Sequence, residues 1–470
     1  MERLTRSEQP HIKFGMFKIR IPFIHYRFEK PEAIQGIISS MTSLGTIGLS
    51  TQILGLPYEV AWSMAIINSI LYCLHVFMGD PVVPGWITAS ITLTTAYLLK
   101  FNIGIERIQA LTALQIDLGI IFILMGITGI AGKLVNRIPN SIKGGILMGV
   151  GISTVIAEFS PKGRFESYPI SITVGILVAC FVMFSEKFDA LKVKNKFLFR
   201  LGQYGVVPAI LVSLIIGIFS KEIGIPSFNF ENIIYIMDFQ KLIDTVSPFG
   251  IGFPSLILFI QGLPMAFMIY IIAFGDFITG ENLVLSESKN RTDEYIDFNS
   301  NRSNIISGIR NIVMAVISPY IAMCGPLAAT LTGSVAQRYK VGKEAMQSIF
   351  SGMGTLVWVS AIFICFYPIA QIATPLIPLA LSVTLLVQGY LCTKLSMELC
   401  DTGVERGLIG LMGGVIAAKG GTWGLVVGFI LYFVLIDSKK RKESNINSKE
   451  SDINSSEDYV YEISCKKKSI

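Results

Sequence analysis

Two interruptions in matching places of a very apolar chain constrain its fold more than any single residue. The first is Gly79-Asp80-Pro81-Val82-Val83-Pro84-Gly85-Trp86, followed by a short apolar run to Leu99. The second, roughly 240 residues later, is Cys324-Gly325-Pro326-Leu327-Ala328-Ala329-Thr330-Leu331-Thr332-Gly333. Proline lacks an amide donor and glycine lets the backbone leave the helix, so neither segment should cross a bilayer as an ordinary helix. Lipid cannot satisfy the freed amides and carbonyls, so this backbone must be buried in protein or line a wet cavity. Broken apolar segments in corresponding positions of two halves point to the binding site of a secondary transporter.

The compartment follows from composition. Of 470 residues, 52% are hydrophobic and only 15% charged, and the mean hydropathy is +0.60. Soluble chains carry about 25% charge, so this reads as an all-α polytopic protein of the cell membrane. About fourteen apolar stretches are present, two of them the short broken ones, third and tenth in order. The seven cysteines are scattered without metal-ligand spacing and read as small core hydrophobes; no metal or cofactor is expected. The first long apolar run is too long for a signal-peptide core and is expected to act as its own insertion signal.

Basic residues set the orientation. Arg3, Arg6, Lys13, Lys18, Arg20, Arg27 and Lys30 precede the first span, and Lys439-Lys440-Arg441-Lys442 follow the last. The positive-inside rule then places both termini in the cytoplasm. Lysines and arginines after the even spans agree, and they account for the net charge of +6 without a nucleic-acid partner. The chain divides into a cytoplasmic arm (1–30), a first seven-segment repeat (31–222), an extracytoplasmic connector (223–253), a second repeat (254–437) and a disordered cytoplasmic tail (438–470). Ile233, Ile236, Met237, Leu242 and Ile243 predict an amphipathic helix in the connector.

The halves echo each other elsewhere. Ile138-Pro139 opens the fifth span and leads into Gly144, Gly145, Gly149 and Gly151; Ile377-Pro378 is placed at the start of the twelfth. Seven spans per copy is odd, so the second copy is inverted relative to the first. This layout, with its broken third and tenth spans and Ile-Pro starts, resembles the superfamily of the uracil/xanthine permeases (nucleobase–ascorbate transporters) and the sulfate permeases. The resemblance implies a substrate-binding core of spans 1–4 and 8–11, a gate of spans 5–7 and 12–14, and a homodimer. Gln52 stands without a neighbouring histidine, and Gly333 to Arg338 ends in arginine without an acid, so nucleobase and anion substrates both stay open.

Carboxylates at membrane depth are site candidates by default. Asp276 and Glu281 lie in the eighth span and Asp117 in the fourth, and these three are the candidate sites for a coupling H⁺ or Na⁺. Two half-helices beginning near mid-membrane aim free amides and positive dipole ends at one spot, suited to an anion or a nucleobase carbonyl. Trp86, Thr88 and Ser90 follow the first break; Ala329, Thr330, Thr332 and Ser334 follow the second. Gln261 and Tyr270 are placed to hydrogen-bond a flat ligand. Arg310 is expected to snorkel near the cytoplasmic surface, and His75 to pack. No H-E-x-x-H, G-x-S-x-G or P-loop is present, which disfavours an enzyme or an ATP-driven pump, and no ring of charge suggests a channel. The favoured reading is a nucleobase:cation (H⁺) symporter of the xanthine/uracil type; the alternative is an inorganic or organic anion transporter, or an uncoupled anion pathway, on the same fold.

Overall fold

Helix ends in the protein follow local signals. A computed structural model describes residues 7–131, 138–161, 163–195, 197–198, 201, 206–224, 233–289, 291–400 and 402–436. The predicted tail with its Lys439-Lys440-Arg441-Lys442 lies outside the described residues, as do Arg3, Arg6 and, of the basic residues after the even spans, Lys133, Arg137, Lys196 and Arg200. Helix α1 (Lys30–Leu54) takes Pro31 in its first turn and closes on Gly55, whose φ of 73° lets its N–H donate to the Thr51 carbonyl. α4 (Ile105–Thr128) closes the same way on Gly129. Between them lie α2 (Tyr58–Phe77) and α3 (Thr88–Leu98). α5 (Asn140–Phe159), α6 (Pro169–Phe184) and α7 (Val207–Phe219) follow.

The second half holds α8 (Leu256–Ser288), α9 (Ser300–Ile317), α10 (Ala329–Tyr339) and α11 (Ile349–Phe363). It ends with α12 (Tyr367–Glu398), α13 (Gly403–Lys419) and α14 (Gly421–Leu435). α11 and α13 start with capping boxes, Ser348 with Ser351 and Thr402 with Glu405. Among the described residues, six helices are long and apolar enough to cross a membrane by length and composition. Large apolar residues such as Leu177, Phe433 and Val434 are exposed on the outer surface, as lipid contact requires.

Packing partners reveal the internal repeat. α4 lies against α8 and α9, and α11 lies correspondingly against α1 and α2. α5 packs on α13 and α14 as α12 packs on α6 and α7. Each pair maps onto the other by a shift of seven helices. The two breaks meet antiparallel, Gly85 opposite Gly325 and Trp86 opposite Cys324, so the equivalent segments run in opposite directions. The repeat is inverted.

Glycines set the closest approaches. A Cβ on Gly119 of α4 would stand 2.9 Å from the Gly308 carbonyl of α9, and one on Gly308 would stand 2.7 Å from the Gly119 carbonyl. The predicted glycine run of α5 is used likewise: Gly145 faces Met412, Gly149 faces Ile416, and Gly151 faces the Gly389 carbonyl. Without a hydrophobic drive between helices in lipid, such close backbone packing supplies the attraction.

Two expectations are corrected. Ile377-Pro378 does not begin the twelfth helix, because α12 is already helical from Tyr367 and runs 32 residues. Proline removes one helical hydrogen bond, and neighbouring helices let membrane helices tolerate that loss. The connector helix is only Phe239–Val246, with Leu242 and Val246 buried. Residues 233–237 instead run extended: Tyr235 stacks on Trp62 at 4.2 Å, and its N–H donates to the Cys365 carbonyl.

Candidate functional site

The two breaks form one crossing at the centre of the molecule. Besides the strand pairing, the Ile87 N–H donates to the Met323 carbonyl (3.0 Å) and the Ala328 N–H to the Val83 carbonyl (2.7 Å). Thr332 adds its hydroxyl, which accepts from the Val83 N–H at 3.1 Å. Irregular backbone is thereby satisfied by its counterpart from the other half, as lipid would require. Glycine is obligatory on both sides. A Cβ on Gly85 would lie 2.6 Å from the Leu327 carbonyl oxygen, and one on Gly325 would lie 2.9 Å from Ile87 Cγ1. α3 and α10 start directly after this crossing, and neither N-cap residue, Ile87 or Ala328, uses a side chain to cap the helix.

One helix holds the crossing together. Arg310 of α9 is fully buried, and its Nη1 and Nη2 donate to the carbonyls of Gly325 (3.1 Å) and Gly85 (3.0 Å). Its guanidinium also lies over the Tyr72 ring, 4.5 Å from the centroid. Next to it, Asn311 donates to the Cys324 carbonyl (2.8 Å) and accepts from the Cys324 N–H (3.1 Å). Gln115 of α4 extends the network, accepting from the Tyr320 N–H at 2.9 Å, and Tyr320 bonds Thr46 of α1. Among the described residues no carboxylate pairs with Arg310. The expected snorkelling at the cytoplasmic surface is therefore corrected: Arg310 is held inside by the carbonyls that the breaks leave free. Asn304, Ser307, Gly308 and Asn311 form an i, i+3, i+4, i+7 stripe beside Arg310, and that polar helical face was the signal available in the sequence.

The predicted site residues separate into two groups. Thr88 and Ala329, first residues of the two helices, are both exposed, and Trp86 is half-buried in the strand before α3. The Thr330 side chain lies outside the described residues. Asp276 is half-buried on α8 one turn before Gly280, whose Cβ position lies 3.4 Å from Leu327 and 3.5 Å from Val82. Asp276 and Gly280 share a helix face, so Asp276 looks toward the crossing from one turn away. Glu281, half-buried, follows Gly280 on a different face.

Ser90, Tyr270, Gln261 and Asp117 do not join them. Ser90 is buried and spends its hydroxyl on the Ile87 carbonyl (2.7 Å). Tyr270 is buried edge-on against Phe122 and donates to Asn304 Oδ1 at 3.0 Å. Gln261 lies fifteen residues before Asp276 on α8, about 22 Å along the axis. It lines a separate cavity. Asp117 is buried beside Gly262 at that same end of α8. His75 is fully buried, as expected of a packed histidine, and its Nδ1 lies 2.8 Å from Asp80 Oδ2.

No protein-family profile and no curated protein matches the chain. Among solved structures, the chain is similar to the transmembrane domain of a cyanobacterial bicarbonate transporter, BicA: identity is 15%, the TM-score is 0.46, and 87% of this chain and 99% of that one are covered. It is also similar to the murine Solute Carrier 26 family member A9 anion transporter in the inward-facing state, with 14% identity and a TM-score of 0.45 over 87% of this chain and 68% of that one.

Proposed function

We propose that the protein is a secondary transporter of a small anion, which binds where α3 and α10 begin. The carrying observation is the buried charge of Arg310, which bridges Gly85 and Gly325 with no carboxylate partner among the described residues. A buried cation without a counter-charge is costly unless another charge offsets it. It adds to the positive ends of two helices whose first residues, Thr88 and Ala329, are exposed. A negative ligand gains from all three sources, and a neutral nucleobase from none of them as a charge. The anion reading therefore replaces the nucleobase one.

Asp276, one turn from the crossing, is the site proposed for the coupling cation. A carboxylate near a bound anion is tolerated when H⁺ or Na⁺ accompanies it, which links cation binding to anion binding. Helices α1–α4 with α8–α11 are proposed as the moving, substrate-binding unit. α5–α7 with α12–α14 supply the wall, and the same wall is proposed to form a homodimer, which native mass measurement in detergent would test.

Uptake into proteoliposomes decides the substrate class. Bicarbonate, sulfate, chloride and a dicarboxylate should be taken up, and uracil and xanthine should not. Uptake of the nucleobases with none of the anions would overturn the reading.

A further inference from the structure

A cavity lies away from the crossing, between the C-terminal end of α3, the first turns of α8 and the turn joining α13 to α14. Its volume is about 530 Å³. That is within the range of small-molecule pockets, which are mostly apolar with a few convergent polar groups. Phe101 and Trp423 supply aromatic wall, and Lys100, Lys419, Gln261 and Tyr97 supply the polar groups.

The two lysines belong to one rim. Lys100 Nζ stands 3.3 Å from the point a Cβ on Gly420 would occupy, and Lys419 is the residue before Gly420. Neither makes an ion pair among the described residues. Both stand at helix C-termini, which accounts for two cations there but not for the apolar hollow between them. Tyr97 is 5% exposed, and its hydroxyl has no partner among the described residues. Behind it, the Asp117 Oδ2 atom, also unpartnered, lies 3.2 Å from a Cβ position on Gly262, with the Tyr97 hydroxyl 3.6 Å from that point. The cavity is thus polarised, with cations at the rim and a carboxylate beyond the floor.

We propose that this cavity binds an organic anion: a carboxylate or phosphate head held by Lys100 and Lys419, with an apolar body against Trp423 and Phe101. Both lysines stand at the rim, so the head is held there. A soluble aryl carboxylate and an anionic lipid offer the same chemistry. The occupant spans helices from both packing groups, α3 and α8 on one side and α13 and α14 on the other, so it holds those groups in the relation described above. The inference does not rest on the anion reading of the crossing.

The test has two arms, both on the full chain. In nanodiscs of zwitterionic lipid, 2-naphthoate should bind saturably, followed by tryptophan fluorescence. Neutral 2-naphthamide should bind about tenfold more weakly or worse, and Lys100→Gln with Lys419→Gln, which removes both charge-assisted contacts, should weaken naphthoate about tenfold or more. Lys100→Arg with Lys419→Arg should keep it. In protein purified from membranes containing phosphatidylglycerol, native mass spectra should show retained lipid that the double Gln variant loses. A lysine-dependent result in either arm supports the site and names its source. If neither probe depends on the lysines, the proposal is overturned. Should the Gln variant misfold, acetylation of Lys100 and Lys419 in the native chain decides instead: naphthoate or the lipid must protect them, and unchanged labelling with both would sink the idea.

Discussion

Arg310 separates two roles that a single substitution would confuse. Arg310→Lys keeps the charge but cannot bridge both carbonyls, since lysine is a point donor and arginine a planar fork. Anion affinity should stay within about threefold while stability falls by about 1–3 kcal/mol, the cost of a buried carbonyl left unpaired. Arg310→Gln removes the charge, and its lost hydrogen bonds are partly offset by the relieved burial of a cation. Its anion affinity should drop about tenfold or more. Calorimetry with a transported anion, beside thermal unfolding, reads the two quantities separately. Equal affinity in the native chain and Arg310→Gln would remove the charge from the argument. Asp276→Asn keeps size and hydrogen bonding but cannot titrate, so exchange of anion should persist while accumulation driven by a cation gradient disappears. Undiminished accumulation would rule Asp276 out.

At the scale of elements, the crossing depends on two glycines. A Cβ at Gly85 would meet the Leu327 carbonyl at 2.6 Å, and backbone cannot swing aside as a flexible side chain can. Gly85→Ala should therefore cost about 1–3 kcal/mol by overpacking and abolish uptake. Gly407→Ala, inside α13 with nothing within 4 Å, should not destabilise and should add up to about 1 kcal/mol through helix propensity. Thermal unfolding and uptake of both variants check this. The crossing is legible in the residue order alone, because paired Gly/Pro breaks have few places to satisfy their amides. The length of α12 is not. A proline signals a lost hydrogen bond, and only the surrounding helices determine whether the helix continues through it.

The whole molecule carries a strap formed by its N-terminal arm. Ser7-Glu8 pairs in parallel with Glu294-Tyr295 in the α8–α9 connection. Glu8 bonds Lys18 and Arg20, and Lys18 reaches Asp297 at 2.7 Å. Glu29 lies 3.2 Å from Arg338 and accepts from the Gln347 N–H at 2.9 Å. Burial pushes the Glu294 carboxyl up to about 7, against opposing help from Tyr339, Arg291 and the Ile349 N–H. Its folded state thus holds a proton that the unfolded chain releases near 4.5, so this group's share of stability declines as pH rises from about 4.5 to 7. Asp293, held low by Arg291, acts oppositely, as do Asp297 and Glu29, whose burial is outweighed by Lys18 and Arg302 and by Arg27, Gln347 and Ser351 respectively. Their share is present above the ordinary carboxylate range and lost as pH falls below it. Glu294→Gln should accordingly stabilise the protein at pH 8, by up to about 3 kcal/mol, and have little effect near pH 5. Unfolding midpoints at the two pH values test the sign. Motion between the packing groups is tested where Thr92 of α3 meets Thr154 of α5 at 2.7 Å. A Thr92→Cys, Thr154→Cys disulfide should halt uptake and leave anion binding intact.

By itself the sequence determined the solvent, the number of halves and the place where they meet. Each of these follows from local chemistry: long apolar runs need lipid, and paired breaks need each other. It also named Thr88 and Ala329 among the residues that follow the breaks, while their place as the first residues of α3 and α10 came from the structure. Only the tertiary structure decided what lies opposite those starts. Arg310 in the sequence is one charge near a span end, indistinguishable from a snorkelling arginine until the Gly85 and Gly325 carbonyls are seen to accept from it. Gln261, Asp117 and Asp276 are all plausible by depth, but a helix of 33 residues keeps Gln261 about 22 Å from Asp276. Sequence spacing orders residues along a helix; which of them meet a ligand depends on the faces that neighbouring helices leave open.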